Sequence, residues 1–171
     1  MSMKPSMLNK IKEIKLNKGI VISIICIVLF IIVDQLTKFF FAKNMIIIPN
    51  VLRFSIVTNT GGAFSFFSGD NVMVIILNFI LIAMVARFTF MYKDRVRKLM
   101  VVALILVIAG GTSNLIDRVF KGYVMDFIDF GHKFPVFNLA DITLIVGWII
   151  FAICILIDIR GDKVWNTKNT K

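Results

Sequence analysis

Ten acidic side chains are spread over 171 residues, and five of them sit at the ends of long apolar runs or in one connection between them: Asp34, Asp117, Asp126, Asp129 and Asp141. A carboxylate at the centre of a membrane helix costs about 2.5–3.5 kcal/mol on insertion scales, so acids this close to apolar runs need pairing or have a task. Two carboxylates that converge share one proton, because like charges a few ångströms apart do not both ionise. The ionised member can accept a proton from water while the protonated member donates to a carbonyl oxygen. That is general acid–base hydrolysis of a peptide bond.

Asp141 is the leading candidate. It follows Asn138 by three residues, on the same helical face, at the start of an apolar run. A capping acid is the plain alternative, but Asn138 is the better placed cap. Asp126 lies between Val124-Met125 and Phe127-Ile128, an apolar setting for an acid in a connection. Asp129, three residues on, reads as a supporting or a solvated acid. Asp117 and Arg118 read as an internal ion pair fixing a corner, with Asn114 one turn behind, and Asp34 and Lys38 have the i,i+4 spacing of a pair.

Other chemistries fit less well. His132 is the one histidine, and no cysteine or serine stands out as its partner, so a triad has little support. Metal-ligand spacing of the HExxH type, a phosphate-binding loop and a dinucleotide glycine pattern are all missing from the sequence, and no metal or cofactor is expected. Cys26 and Cys154 lie inside apolar runs and read as small apolar side chains. The formal net charge of +10 raises the possibility of nucleic-acid binding. The basic residues, however, form short clusters between apolar runs, as juxtamembrane anchors do, so no nucleic-acid partner is expected.

The elements that must position these residues are membrane spans. Apolar residues make up 58% of the chain and charged ones 18%, against about 45–50% and about 25% in soluble domains. Four runs, about 20–41, 72–90, 99–116 and 139–157, approach the ~20 residues needed to cross ~30 Å of hydrocarbon as helix. One integral membrane domain covering 1–171 is expected. The first run carries no small-x-small cleavage site before Asp34-Gln35-Leu36-Thr37-Lys38 and is read as a span, not a cleaved leader.

The flanking charges set an orientation. Lys4, Lys10, Lys12, Lys15 and Lys18 against Glu13 give the N-terminal tail net +4. The connections follow with +1 (Lys43, Arg53, Asp70), +4 (Arg87, Lys93, Arg95, Arg97, Lys98, Asp94) and 0 (Arg118, Lys121, Lys133, Asp117, Asp126, Asp129), and the tail after the fourth run is net +2. This alternation predicts both termini in the cytoplasm and the first and third connections outside. Residues 45–67 read as a small β-rich element on the outer surface: Ile46-Ile47-Ile48, a Pro49-Asn50 turn, an alternating piece from Leu52 to Thr58, a break at Thr60-Gly61-Gly62 and a last piece from Ala63 to Phe67. The third connection, with Gly122, Gly131 and Pro135, reads as irregular.

Five pieces in order resemble the bacterial lipoprotein signal peptidase (signal peptidase II) family. They are Asp34-Gln35-Leu36-Thr37-Lys38, Asn59-Thr60-Gly61-Gly62-Ala63-Phe64-Ser65, Gly110 to Arg118, Gly122 to Ile128, and Phe134 to Asp141. The resemblance implies an intramembrane aspartic endopeptidase with Asp126 and Asp141 as its catalytic pair. It implies that Asn59, Gly61, Asn114, Arg118 and Asn138 position substrate or organise the pair, and that Asp34, Lys38, Asp117 and Asp129 are structural. It also implies diacylglyceryl-modified prolipoproteins as substrates, cut just before the lipid-modified cysteine, inhibition by globomycin-like peptides, and no metal. The setting it implies is the bacterial cytoplasmic membrane, with the site near the outer face and membrane lipid around it. Two positions depart from the pattern: Ser113 stands where the family usually has Gly, and Gly62 where it more often has Ala. The rival reading is a small proton-coupled transporter or channel, which calls for acids near mid-depth instead of clustered at one side.

Overall fold

The computed structural model of the chain describes residues 18–41, 43–62, 69–92, 98–131 and 134–159. In chain order the elements are α1 (Lys18–Phe41), β1 (Met45–Ile48), β2 (Leu52–Asn59), α2 (Asn71–Tyr92), α3 (Lys98–Lys121), β3 (Val124–Asp129) and α4 (Leu139–Ile159). The four helices among the described residues are all long and apolar enough to cross a membrane. The architecture is therefore mostly helical, as expected, with one small sheet.

The burial pattern is that of helices whose apolar faces look outward. On α1 the buried residues are Asp34 and Lys38, one turn apart, while Ile, Val, Leu and Phe side chains around them are exposed. Charged groups inside lipid turn toward protein partners, and this helix does so. α3 is the hub, packing on α1, α2 and α4. Its buried stripe, Met100, Ala103, Leu104, Val107, Gly110, Gly111, Asn114 and Asp117, has the three- and four-residue spacing of one helical face. Val85 of α2 and Cys154 of α4 complete an apolar cluster with Met100, Leu104 and Val107.

α3 and α4 approach closely because small residues line their contact. A Cβ added to Gly110 would lie 2.5 Å from the carbonyl oxygen of Ala140 and 2.9 Å from Cγ of Leu144; one added to Gly147 would lie 2.9 Å from Cγ2 of Val107. Small residues at such crossings are a general device of membrane helices. Gly110→Ala is expected to cost about 1–3 kcal/mol, the usual range for overpacking, and to push the first turn of α4 away. A thermal melt in detergent and a cleavage assay check this; an unchanged melting temperature counts against the close approach.

α3 continues to Lys121, five residues beyond the expected end at 116, so Asp117 and Arg118 lie on its last turn and not in a corner. Gly122 ends it with φ of 80° and an N–H donated to the Arg118 carbonyl at 3.1 Å. The third connection then becomes β3, which the sequence had presented as irregular. The sheet runs β1-β2-β3, antiparallel throughout. Its first hairpin turns at Pro49-Asn50 as expected, with Asn50 at φ of 59° and Val51 N–H on the Ile48 carbonyl. β2 faces β3 with Val57 opposite Asp126 and Arg53 opposite Asp129. The expected piece from Ala63 to Phe67 lies outside the described residues, as does His132.

Candidate active site

Asp126 is set in the middle of β3 by packing on both sides. Its neighbour Phe127 stacks on Phe41 at the end of α1 and meets Phe54 of β2 edge-on, with ring centroids 5.9 and 5.8 Å apart. On the other edge of β3, Phe137 pairs with Ile128 through backbone bonds of 2.8 and 3.1 Å. That bridge delivers the next residue, Asn138, directly to Asp126.

Asn138, fully buried, caps α4. Its Oδ1 accepts the Asp141 N–H at 3.0 Å, and its own N–H donates to Asp141 Oδ2 at 3.1 Å, a reciprocal capping box. The capping role and the chemical role weighed for Asp141 are therefore not alternatives. Asn138 Nδ2 is left over and donates to Asp126 Oδ1 at 2.6 Å. One residue thus joins both acids.

The remaining carboxylate oxygens are served by two more asparagines. Asn59 Nδ2 donates to Asp126 Oδ2 at 3.0 Å, and Asn114 Nδ2 donates to Asp141 Oδ1 at 2.8 Å. Each asparagine has its amide turned by a second bond. Asn59 Oδ1 accepts the Gly61 N–H at 3.0 Å, Asn138 Oδ1 accepts the Asp141 N–H, and Asn114 Oδ1 accepts from Lys38 Nζ at 3.0 Å. All four oxygens of the two acids therefore face N–H groups with fixed orientation. Asp126 is 2% exposed while Asp141 is half-buried. Burial, and then the negative charge of Asp141, push Asp126 from its ordinary 3.8 up to about 6. A carboxyl with that value keeps its proton up to about pH 6, about two units above an ordinary aspartate.

Beside the pair lies a buried charge cluster. Lys38 Nζ reaches Asp34 Oδ2 at 2.7 Å and Asp117 Oδ2 at 2.6 Å. Lys121 Nζ lies 2.7 Å from Asp117 Oδ1. The expected Asp34–Lys38 pair is present, but the expected Asp117–Arg118 pair is not how Asp117 is held: its ion-pair partners are Lys38 and Lys121. Successive residues on a helix point about 100° apart, whereas i and i+4 share a face. Arg118 instead spans inward, donating from Nη2 to the Gly61 carbonyl at 2.5 Å and from Nη1 to the Asn114 carbonyl at 3.4 Å. Asp34 Oδ1 accepts the Ala140 N–H at 2.8 Å, tying α1 to the turn of α4 that carries Asp141.

Asp129 stands apart from the pair. It is 3% exposed, so it is not solvated, and it joins β3 to β2 by accepting from Arg53 Nε at 2.6 Å and Ser55 Oγ at 3.0 Å. The Arg53 bond holds its carboxyl below the ordinary range. Three residues at the cluster had drawn no role from the sequence. Ser113 Oγ donates to Asp34 Oδ2 at 2.6 Å and accepts from Gln35 Nε2 at 3.2 Å, so its hydroxyl is partnered on both sides. Gln35 also donates to Asp117 Oδ1 at 3.1 Å, and Asn71 Nδ2 donates to the Arg118 carbonyl at 3.2 Å, pinning the start of α2 to α3. An amide in a short motif was the only trace of Gln35, and Asn71 had none.

Four apolar helices, a three-stranded sheet and two linked carboxylates make this a multi-pass membrane protein with a diacid site. The family described as Signal peptidase (SPase) II matches residues 26–157, and the chain belongs to that family, an aspartic peptidase family. It is similar to the lipoprotein signal peptidase of Staphylococcus aureus strain MRSA252, 38% identical over 151 residues, which is 82% of this chain and 91% of that one. The protein of the same name from strain JH9 matches equally, at 38% over 151 residues. Among solved structures it resembles a bacterial membrane enzyme determined by the in meso method at 2.3 Å resolution, with a TM-score of 0.76 and 34% identity, covering 89% of this chain and 96% of that one. A second, at 1.9 Å resolution, matches with a TM-score of 0.70 and 35% identity over 80% of this chain and 94% of that one.

Proposed function

We propose that Asp126 and Asp141 are the catalytic pair with which this peptidase removes the signal peptide from diacylglyceryl-modified prolipoproteins, cutting before the lipid-modified cysteine. The observation that carries the reading is the link through Asn138, which bonds both carboxylates at once. With one proton between them, the ionised acid takes a proton from water as the water oxygen attacks the scissile carbonyl carbon, and the protonated acid donates to the carbonyl oxygen. On collapse of the tetrahedral intermediate the C–N bond breaks, the protonated acid gives its proton to the departing cysteine nitrogen, and the ionised acid takes one from a hydroxyl of the intermediate as the carbonyl reforms. The pair is left with one proton, ready for another turnover.

Asn59, Asn114 and Asn138 hold the acids, Arg118 and Gly61 tie the β2 end to α3, and Asp34, Lys38, Asp117 and Asp129 maintain the frame. The chain works as a single integral membrane domain in the bacterial cytoplasmic membrane. The charge alternation supports cytoplasmic termini and a site at the outer face. A signal helix and its acyl chains are apolar, so they reach this depth from the bilayer side, and globomycin-like peptides compete there. The transporter reading has less support, because the acids gather at one end of the bundle and are locked by fixed amides.

The test is cleavage by the purified protein in nanodiscs of one prolipoprotein, supplied with and without its diacylglyceryl group. The modified form is expected to be cut, with the new N-terminus at the lipid-modified cysteine by mass spectrometry. Equal cutting of both forms counts against the substrate class, and no cutting of either against the activity.

A further inference from the structure

The three asparagines that serve the acids are locked in different ways. Asn59 and Asn138 have their oxygens held by backbone N–H groups, from Gly61 and Asp141. Asn114 alone is held by a side chain, Lys38. An asparagine amide has nearly the same shape either way round, so its partners decide which end points where. An ammonium group has three donors and no acceptor, and Lys38 uses them on Asp34 Oδ2, Asp117 Oδ2 and Asn114 Oδ1 at 2.7, 2.6 and 3.0 Å. The oxygen of Asn114 must face Lys38, so its Nδ2 must face Asp141.

We infer, resting on the peptidase reading above, that Lys38 is a positioning residue for the reaction: by holding Asn114 Oδ1 it turns the Asn114 N–H onto Asp141 and favours the ionised form of that acid. With the amide reversed, an oxygen would face Asp141, which only a protonated Asp141 could meet as donor. The ionised form of Asp141 would then lose one of its two N–H donors. The charged groups around this relay are Asp34 on α1, Asp117, Arg118 and Lys121 on α3, Asp126 on β3 and Asp141 on α4. Asp34, Asp117, Lys38 and Lys121 balance one another. A second contribution points the same way: Asp141 sits in the first turn of α4, where the helix dipole favours a negative charge.

A role confined to balancing Asp34 and Asp117 predicts something different, and the two can be separated. Lys38→Met alone leaves a buried negative charge, so it is paired with Asp34→Asn, which restores the balance through Asp117 and Lys121. The double variant is expected to melt within a few degrees of the wild-type protein. Its kcat should fall by about 10²-fold, within the range for a misplaced acid–base group, with KM changed by less than about threefold. Adding Asn114→Ala should cause no further loss, because Lys38 acts through Asn114. Wild-type kcat in the balanced double variant, or a full additional loss on adding Asn114→Ala, overturns the role of Lys38.

A measurement on the lysine-intact protein decides the matter should the double variant not fold or the wild-type protein not cleave the substrate, the latter being a failure of the peptidase reading and not of this one. In an infrared titration, the carboxylate band that Asp141→Asn removes should appear at lower pH than the one that Asp126→Asn removes. The reverse order overturns the inference.

Discussion

Asp126→Asn and Asp141→Asn each lower cleavage of a diacylglyceryl-modified prolipoprotein by at least about 10³-fold, since each removes one half of a general acid–base couple whose members contribute about 10²–10⁴ apiece. Effects of groups that act together are far from additive, so the double substitution should be little worse than either single one. The protein should remain folded, because the substituted side chains keep their shape and most of their amide neighbours. The Asp126 variant also carries a stability signature. The folded protein binds a proton at Asp126 up to about pH 6, whereas the unfolded chain releases it near 3.8. Its contribution to stability is therefore complete below about 3.8 and is lost as pH rises through about 6, a change of about 3 kcal/mol. Asp126→Asn should lack that slope in melts across the same pH range. Cleavage retained in either purified variant would falsify the assignment of the pair.

Asn138→Ala is expected to come next in severity, though no proton leaves from that side chain. It loses an N-cap, about 0.5–2 kcal/mol, and it strips Asp126 Oδ1 of a 2.6 Å donor in a buried site, where a bond to a charged group is worth about 1.5–3 kcal/mol. The first turn of α4 loosens at the residue that holds Asp141. A fall of about 10²-fold in kcat should accompany a lower melting temperature. Because the Asn138 bond favours ionised Asp126, its loss moves the Asp126 value further up, and the alkaline limb of the rate profile should follow it. A variant with normal kcat and only a lower melting temperature would show that Asn138 caps the helix and does nothing more.

Much of the frame could be read from residue types. The four helices follow from long apolar runs, and three polar residues inside those runs, Asp34, Lys38 and Asn114, face inward. β3 was not legible. Val124 to Asp129 is buried on both faces and so lacks alternation, and its partner β2 lies some 67 residues earlier in the chain. The partner of Asp117 was misjudged because adjacency in sequence suggested Arg118, whereas the helix carries Lys121 to the same face and Lys38 arrives from α1. The amide relay was hidden for a different reason. Asparagine is common at turns and caps, and only three-dimensional partners reveal which end of each amide meets a carboxylate.

The claim at the centre is that Asp126 and Asp141 work as a pair holding one proton. The pH dependence of kcat/KM for the lipid-modified substrate tests it most directly, because that ratio reports the acid and base of the free enzyme. A bell-shaped profile is expected, with its alkaline limb near the Asp126 value of about 6. A rate that keeps rising through neutral pH without a bend would contradict the account, since it would require a base other than these two acids.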